Sequence, residues 1–96
     1  MNSTTAIALL KQHKAELVLR FGVKTLALFG STSRNTATPS SDIDILVEFD
    51  GVATSARYYG VQFLLEDALG APIDLGTTKA LRPELRPYIE KDAIYV

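Results

Sequence analysis

Two short motifs joined to apolar runs limit how this chain can fold more than any other feature of its sequence. The pair Gly30-Ser31 follows one apolar run, and the acidic residues Asp42 and Asp44 open a second one. Both runs have the length and composition of buried strands, so one motif closes a strand and the other opens one. Carboxylates two positions apart in a strand project from the same face, with their Cα atoms about 6.5–7 Å apart. The sequence therefore predicts two neighbouring acidic groups beside a glycine turn.

These residue types suit the binding of a metal–nucleotide complex. A hard divalent cation such as Mg²⁺ prefers oxygen ligands and is commonly shared between carboxylates and substrate phosphates. A Gly-Ser turn that leads into a helix offers backbone N–H groups and the positive end of the helix dipole to a phosphate. A lone Asp-x-Asp pair fits an exposed strand equally well, and Ser31 also fits a plain helix N-cap. The ten-residue spacing between the two motifs favours the metal site.

Hydrophobic periodicity and turn residues predict an alternation of helices and strands. The expected elements are a helix that starts at 3–5 and stops at Gly22, a strand at 24–29, a short helix after Gly30 that carries Arg34, a strand at 43–49, a helix capped by Thr54 or Ser55 and ended by Gly70, a strand at 72–75, a helix around 83–91 and an edge strand at 93–96. A loop rich in Thr, Ser and Pro separates the short helix from the second strand.

Alternation along the second strand separates two faces. Its apolar side chains at 43, 45, 47 and 49 point one way, whereas Asp42 and Asp44 point the other way. Asp74 lies between Ile73 and Leu75, so the same parity sets it beside the two other acids, although a solvated strand end has the same pattern. The predicted fold class is α/β (α+β): a small mixed sheet with helices packed on one face and the acids on the other.

Arg34 and a set of charged residues near the C-terminus can also be interpreted as surface charges without a role in the site. Arg34 fits a surface charge as well as a phosphate contact, since a guanidinium group can bind phosphate through two hydrogen bonds. Charges of both signs alternate near the C-terminus, which is typical of a solvated face: Lys79, Arg82, Glu84, Arg86, Glu90, Lys91 and Asp92. No chemistry is expected from this second group.

The segments GSTSRN at 30–35 and SDIDILVEF at 41–49 resemble a known fingerprint. They are similar to those of the MNT-type minimal nucleotidyltransferases, a family of the DNA polymerase beta-like nucleotidyltransferase superfamily. The typical run of that family is close to GSxARG, then a loop and SDIDLLVEF, and the resemblance extends over nearly the whole chain. Asn35 stands where the family usually has glycine. Asn tolerates the left-handed backbone better than other non-glycine residues, so the turn is expected to persist.

The resemblance implies a fold, an activity and a partner. It implies the polymerase beta-like fold and a Mg²⁺-dependent (or Mn²⁺-dependent) transfer of AMP from ATP. The acceptor would be a tyrosine hydroxyl of a cognate HEPN ribonuclease toxin, which the chain would neutralise as a type VII-like antitoxin within a hetero-oligomer. Asp42, Asp44 and Asp74 would be the metal-binding and catalytic residues, with Asp74 placed to accept the proton of the attacking hydroxyl. Nucleotide binding would fall to three residues: Gly30, Ser31 and Arg34.

Two other classes of function stay open at this point. The chain could neutralise a toxin by direct binding, with little or no catalysis; altered acids would favour that class, but all three are present. It could instead be a transferase with a small-molecule acceptor, which would require a second substrate pocket. Neither the acceptor nor the nucleotide base follows from the sequence.

Composition narrows the classes of protein further. The 96 residues are expected to form one domain, residues 1–96, and a formal net charge of −1 argues against stable nucleic-acid binding. The sequence has no cysteine, which excludes disulfides and zinc–thiolate sites. No apolar run approaches the roughly 18 residues of a membrane span, and the N-terminal residues lack the pattern of a secretory signal. A cytoplasmic protein is therefore expected.

Overall fold

Helices and strands alternate along the chain as the sequence predicts, in a computed structural model that describes residues 1–96. The elements are α1 (Ser3–Phe21), β1 (Val23–Phe29), α2 (Gly30–Ser33), β2 (Ile43–Phe49), α3 (Ser55–Leu69), β3 (Ile73–Thr77), a 3-10 turn (Thr78–Ala80), α4 (Arg86–Asp92) and β4 (Ile94–Tyr95). No helix is both long enough and apolar enough to cross a membrane.

Four elements differ from the predicted bounds: β1 begins one residue earlier, at Val23, β4 is limited to Ile94–Tyr95, and β3 and α4 differ more. β3 is longer at its end because Gly76 and Thr77 pair with Leu46 and Val47 of β2, a contact that local sequence does not reveal. α4 begins at Arg86 instead of near residue 83, since the preceding residues form a separate turn closed by backbone bonds to the Arg82 carbonyl.

The four strands form one mixed sheet in the order β3-β2-β1-β4. β1 runs antiparallel to both of its neighbours, β2 and β4. β2 and β3 are parallel, and α3 supplies the crossover that a parallel pair requires. The small mixed sheet predicted from the sequence is therefore confirmed.

The main core lies between one face of this sheet and the two long helices. The strands contribute their apolar parity positions, and α1 and α3 contribute residues at helical spacing. The buried cluster comprises Ala6, Leu10, Leu17, Val23, Leu26, Leu28, Ile43, Ile45, Val47, Phe49, Val61, Leu65, Leu69, Ile73 and Leu75. Packing of the long helices on one face agrees with the predicted fold class.

The second face of the sheet is partly covered by the C-terminal segment. β3 and β4 lie at opposite edges of the sheet, and residues 78–93 must cross a face to connect them. The 3-10 turn packs against β2 and α4 packs against β1. Ala27 and Leu46 lie outside the main core cluster yet are almost fully buried, which this crossing explains. The acidic ends of the strands therefore share their face with α4.

A glycine in the middle of α3 lets the two long helices approach each other closely. A Cβ atom built on Gly60 would lie 2.2 Å from Cε1 of Phe21, the last residue of α1. Glycine in a helix interior normally costs about 0.5–1 kcal/mol relative to alanine. The ring of Phe21 occupies the space that an alanine methyl group would need, which accounts for a residue that helix propensity disfavours.

We expect Gly60→Ala to destabilise the chain by roughly 1–3 kcal/mol, because the added methyl group overpacks the contact with Phe21. Urea unfolding followed by circular dichroism measures this loss as a lower midpoint. In a Phe21→Ala background the same change should raise stability by up to about 1 kcal/mol, since only the gain in helix propensity remains. A loss of equal size in both backgrounds would show that the Phe21 ring is not the cause.

Candidate functional site

Two of the predicted acidic residues face each other across paired strands. Asp44 of β2 and Asp74 of β3 are register partners in the parallel ladder, so their side chains share one face of the sheet about 4.8 Å apart at the backbone. Asp42 immediately precedes β2. Asp44 is half-buried, whereas Asp42 and Asp74 are exposed. The fold therefore brings together one partly desolvated carboxylate and two that face solvent.

The protonation behaviour of Asp44 reflects this crowding. The pKa of Asp44 is raised from 3.8 to about 6, and burial is the largest cause. The charge of Asp74, a hydrogen bond shared with that carboxylate and the charge of Asp42 contribute to the same rise, while the charge of Arg34 opposes it. The ionised form of Asp44 is thus disfavoured by its surroundings, and a cation beside these carboxylates would relieve the repulsion.

The chemistry of these residues fits a hard divalent cation. Their side chains, however, do not converge on a single metal-binding point. Carboxylate oxygens are the ligands that Mg²⁺ prefers. No group of three Asp, Glu, His or Cys side chains stands close enough together to hold a metal ion. The carboxylate of Asp74 affects Asp44 most, through its charge and a hydrogen bond, and the charge of Asp42 has a smaller effect.

The glycine of the turn is required by the Asp44 side chain itself. Gly30 has φ +71°, and a Cβ atom at this position would lie 2.1 Å from Oδ2 of Asp44. Phe29, the residue before the turn, is the register partner of Asp44 in the antiparallel ladder. The carboxylate therefore lies directly against the backbone where β1 ends. This contact gives a physical reason for the occurrence of both motifs at their fixed spacing.

Hydrogen bonds fasten the turn on both sides. The Ser33 hydroxyl donates to the Gly30 carbonyl at 2.9 Å, and the side-chain oxygen of Asn35 accepts from the Ser3 backbone N–H at 2.8 Å. Asn35 has φ 58°, which confirms the predicted left-handed conformation. A glycine here could not make the bond to α1. The Thr32 hydroxyl is buried without a hydrogen-bond partner, and no contact in the structure explains it.

Arg34 is paired with an acid that the sequence did not single out. Its Nη1 donates to Oδ2 of Asp92, the last residue of α4. The expectation that Asp92 belongs to a solvated face is wrong, because its side chain is only 26% exposed and engages Arg34. The two residues are 58 positions apart, so no local pattern could have indicated the pair. The charge of Arg34 also reaches Asp44.

Two side chains of α3 hold the strand that carries Asp74. The Tyr58 hydroxyl donates to the Leu75 carbonyl at 2.5 Å, and Nε2 of Gln62 donates to the Ile73 carbonyl at 3.3 Å. These carbonyls flank Asp74 on either side. Sequence analysis missed both residues, since their one-turn spacing on α3 indicates a common face but not what that face meets.

Comparison with known proteins finds a matching domain family and related sequences. The sequence model of the nucleotidyltransferase domain matches residues 10–96. Over 89 residues the chain is 34% identical to protein adenylyltransferase MntA of Thermococcus cleftensis, which covers 93% of this chain and 90% of that protein.

Solved structures give the same picture of the fold. One described as a "putative minimal nucleotidyltransferase" superposes with a TM-score of 0.82 at 31% identity, covering 98% of this chain and 95% of that one. A complex of a tri-AMPylated Shewanella oneidensis HEPN toxin with MNT antitoxin contains a chain that superposes with a TM-score of 0.60. That match has 21% identity and covers 98% of this chain and 67% of the other, and it shows a common fold.

The raised pKa of Asp44 predicts a stability gain for Asp44→Asn that depends on pH. The folded chain holds the Asp44 proton more tightly than the unfolded chain, so wild-type stability falls as the pH rises from 3.8 to about 6 and stays at the lower level above that. At pH 7.5 the variant should be more stable by roughly 1 kcal/mol, a value limited by solvent screening of a partly exposed group. The gain should shrink as the pH falls from about 6 toward 3.8. Thermal melts across this range measure it.

Asp67→Asn provides the matched control, since Asp67 is an exposed acid on α3. Its effect on the melting temperature should be small, because the side chain is exposed to solvent. If Asp44→Asn were equally stabilising at pH 4 and pH 7.5, the penalty would not come from ionisation of this carboxylate.

Proposed function

This chain belongs to the nucleotidyltransferase domain family, and we propose that residues 1–96 form a single domain that transfers AMP from ATP to a protein hydroxyl. The observation that carries the proposal is the register pair Asp44–Asp74, of which the Asp44 carboxylate lies against the glycine turn at Gly30. Transfer of an adenylyl group requires neighbouring carboxylates that can bind a cation and hydrogen-bond donors that can bind the phosphates. Both must lie at the same place in the structure. The relative in Thermococcus cleftensis, which is named a protein adenylyltransferase, supports AMP as the transferred group.

In the proposed complex, Gly30, Ser31 and Arg34 contact the phosphates of ATP. The first N–H groups of a helix have no partner within the helix, which is the reason for assigning phosphate contacts to the start of α2. α2 is a single turn, so hydrogen bonds would matter more here than a helix dipole. Arg34 adds a positive charge that is half exposed to solvent.

Asp42, Asp44 and Asp74 would hold a divalent cation, Mg²⁺ or Mn²⁺. A bound cation would neutralise the carboxylates and the charge on the triphosphate. The high pKa of Asp44 supports this role, because a group so reluctant to ionise alone gains most from a nearby positive charge. Replacing these acids should cost activity more than it costs stability, as their side chains lie outside the main core.

Asp74 is the proposed proton acceptor. It is exposed, so a hydroxyl group carried by another molecule can reach it, whereas Asp44 is half-buried. The acceptor oxygen forms a bond to the α-phosphorus of ATP as the bond from that phosphorus to pyrophosphate breaks. The hydroxyl proton passes to Asp74, and the bonding electrons leave with pyrophosphate. Asp74 would then need to lose this proton before another cycle.

We assign the acceptor to a tyrosine on a HEPN-type toxin, with which the chain would form a hetero-oligomer. The structural neighbour of the same fold is in complex with a tri-AMPylated HEPN toxin. Both cavities of this structure lie away from the carboxylates, one of about 30 Å³ near Lys79 and a groove of about 520 Å³ between α1 and α3. An acceptor presented on a partner's surface agrees with the exposed position of Asp74. The AMP group would add negative charge and bulk to the toxin.

The site predicts that ATP stabilises the chain only when Mg²⁺ or Mn²⁺ is present, since a triphosphate alone is repelled by the carboxylates. At about 100 times the dissociation constant the gain should be roughly 2.7 kcal/mol. Gly30→Ala should abolish the shift, because the new methyl group collides with Asp44 at 2.1 Å from Oδ2. Differential scanning fluorimetry measures the shift.

The control for this substitution is Gly70→Ala. Gly70 has φ +64°, close to that of Gly30, but nothing lies within 4 Å of its Cβ position. Both variants carry the same kind of backbone strain, and only one should lose the response to ATP. A full shift in the presence of a chelator would contradict the carboxylate–cation site.

Incubation of the purified chain with ATP, Mg²⁺ and a cognate HEPN toxin should add one or more AMP groups to the toxin, seen by intact-mass analysis and mapped to tyrosine. Asp44→Asn should remove the modification, because the carboxylate at the centre of the site is lost, and Asp67→Asn should retain it. Inhibition of an unmodified toxin at a stoichiometric ratio would favour an antitoxin that acts by binding alone. Adenylylation of a small metabolite instead would contradict the protein acceptor.

A further inference from the structure

We propose that Asp92 is a positioning residue. It holds the Arg34 guanidinium group beside the carboxylates, so that this group is already oriented when the nucleotide phosphates bind. This inference rests on the proposed function and adds to the proposed site a residue that lies outside the two sequence motifs. Asp92 contacts neither the nucleotide nor the acceptor in this proposal and acts only through Arg34.

The position of Asp92 is fixed by the sheet. It ends α4, and two residues later Ile94 pairs with Leu28 of β1. Ile94 and Tyr95 of β4 are hydrogen-bonded to the strand that leads into the glycine turn. The carboxylate of Asp92 is thus tied to the same strand as Arg34, although the two residues are distant in sequence. An acid held in this way can act as a fixed point for a flexible arginine side chain.

The pairing leaves most of the guanidinium group available to a ligand. Arginine has five N–H donors in a planar fork, and Asp92 engages Nη1 through a single oxygen, Oδ2. The positive charge of Arg34 also lowers the pKa of Asp44, so the guanidinium group is close enough to act on that carboxylate. The Arg34 side chain is 50% exposed, which leaves a free side for a phosphate.

Orienting the side chain in advance should strengthen binding. A free arginine side chain samples many rotamers, and part of this conformational entropy is lost when it binds a phosphate. Where a fixed acid has already restricted the side chain, less is lost at the moment of binding. Ground-state binding of the nucleotide should therefore respond to Asp92 more than the chemical step does.

The same helix offers a matched ion pair without this function. Nε of Arg86 donates to Oε1 of Glu90 at 2.9 Å, and both side chains are about half exposed. This is an ordinary pair four residues apart on a helix surface, and such pairs contribute little to stability. Comparing Asp92→Asn with Glu90→Gln therefore separates the role of Asp92 from a general effect of charge on α4.

The test measures ATP affinity in the presence of Mg²⁺ by titration calorimetry, together with KM and kcat for adenylylation. Asp92→Asn should weaken ATP binding and raise KM by about tenfold, equal to 1.4 kcal/mol, with little change in kcat. Asp92→Glu should recover part of the affinity, because it keeps the carboxylate. Glu90→Gln should match the wild type.

A double-mutant cycle distinguishes positioning from a structural effect. In an Arg34→Ala background, Asp92→Asn should cause no further loss of ATP affinity. An equal loss in that background, or no loss in the wild-type background, would overturn the role of Asp92 while leaving the proposed function intact. Tighter ATP binding by Asp92→Asn would also overturn it, since Asp92 would then restrain Arg34 from the phosphates. Failure of the wild-type chain to bind ATP would overturn both proposals.

Discussion

The contact between the Asp44 carboxylate and the backbone at Gly30 is the constraint on which the rest of the site depends. The carboxylate occupies the space where any other residue would carry its side chain, 2.1 Å from the Cβ position. Residue 30 must therefore be glycine if the end of β1, the turn and the start of β2 are to lie close together. The parallel pairing of β2 with β3 then carries this arrangement across to Asp74.

Much of the fold could be predicted because it follows from local rules. β2 has the predicted bounds and faces, since side chains alternate along any strand and its apolar and acidic residues separate cleanly. The long helices end at Gly22 and Gly70 as their sequences indicate. The end of β3 could not be predicted, because residues 76 and 77 are strand only through their pairing with β2. The path of residues 78–93 across the acidic face likewise depends on which edges β3 and β4 occupy.

The candidate site, too, could be predicted only in part. Its acids and its glycine turn are visible in the sequence because their spacing is set within one hairpin-like unit, β1 to β2. The remaining parts come from distant segments: Asp92 reaches Arg34 across 58 residues, and Tyr58 reaches Leu75 from a neighbouring helix. An alternating run of charges predicts solvent exposure on average, but it cannot show which single acid faces a partner. Asp92 was therefore placed wrongly, although its neighbour Glu90 is half exposed as expected.

The hydrogen bonds from α3 to β3 also bear on how another protein could bind. β3 is an edge strand, and an edge strand normally presents free carbonyls on which a foreign strand can pair. Here the Ile73 and Leu75 carbonyls already accept bonds from Gln62 and Tyr58. A partner that extended the sheet beside Asp74 would first have to displace two side chains of the same chain. Recognition at this edge should therefore proceed through side chains and loops, and the sheet is protected there from uncontrolled strand addition.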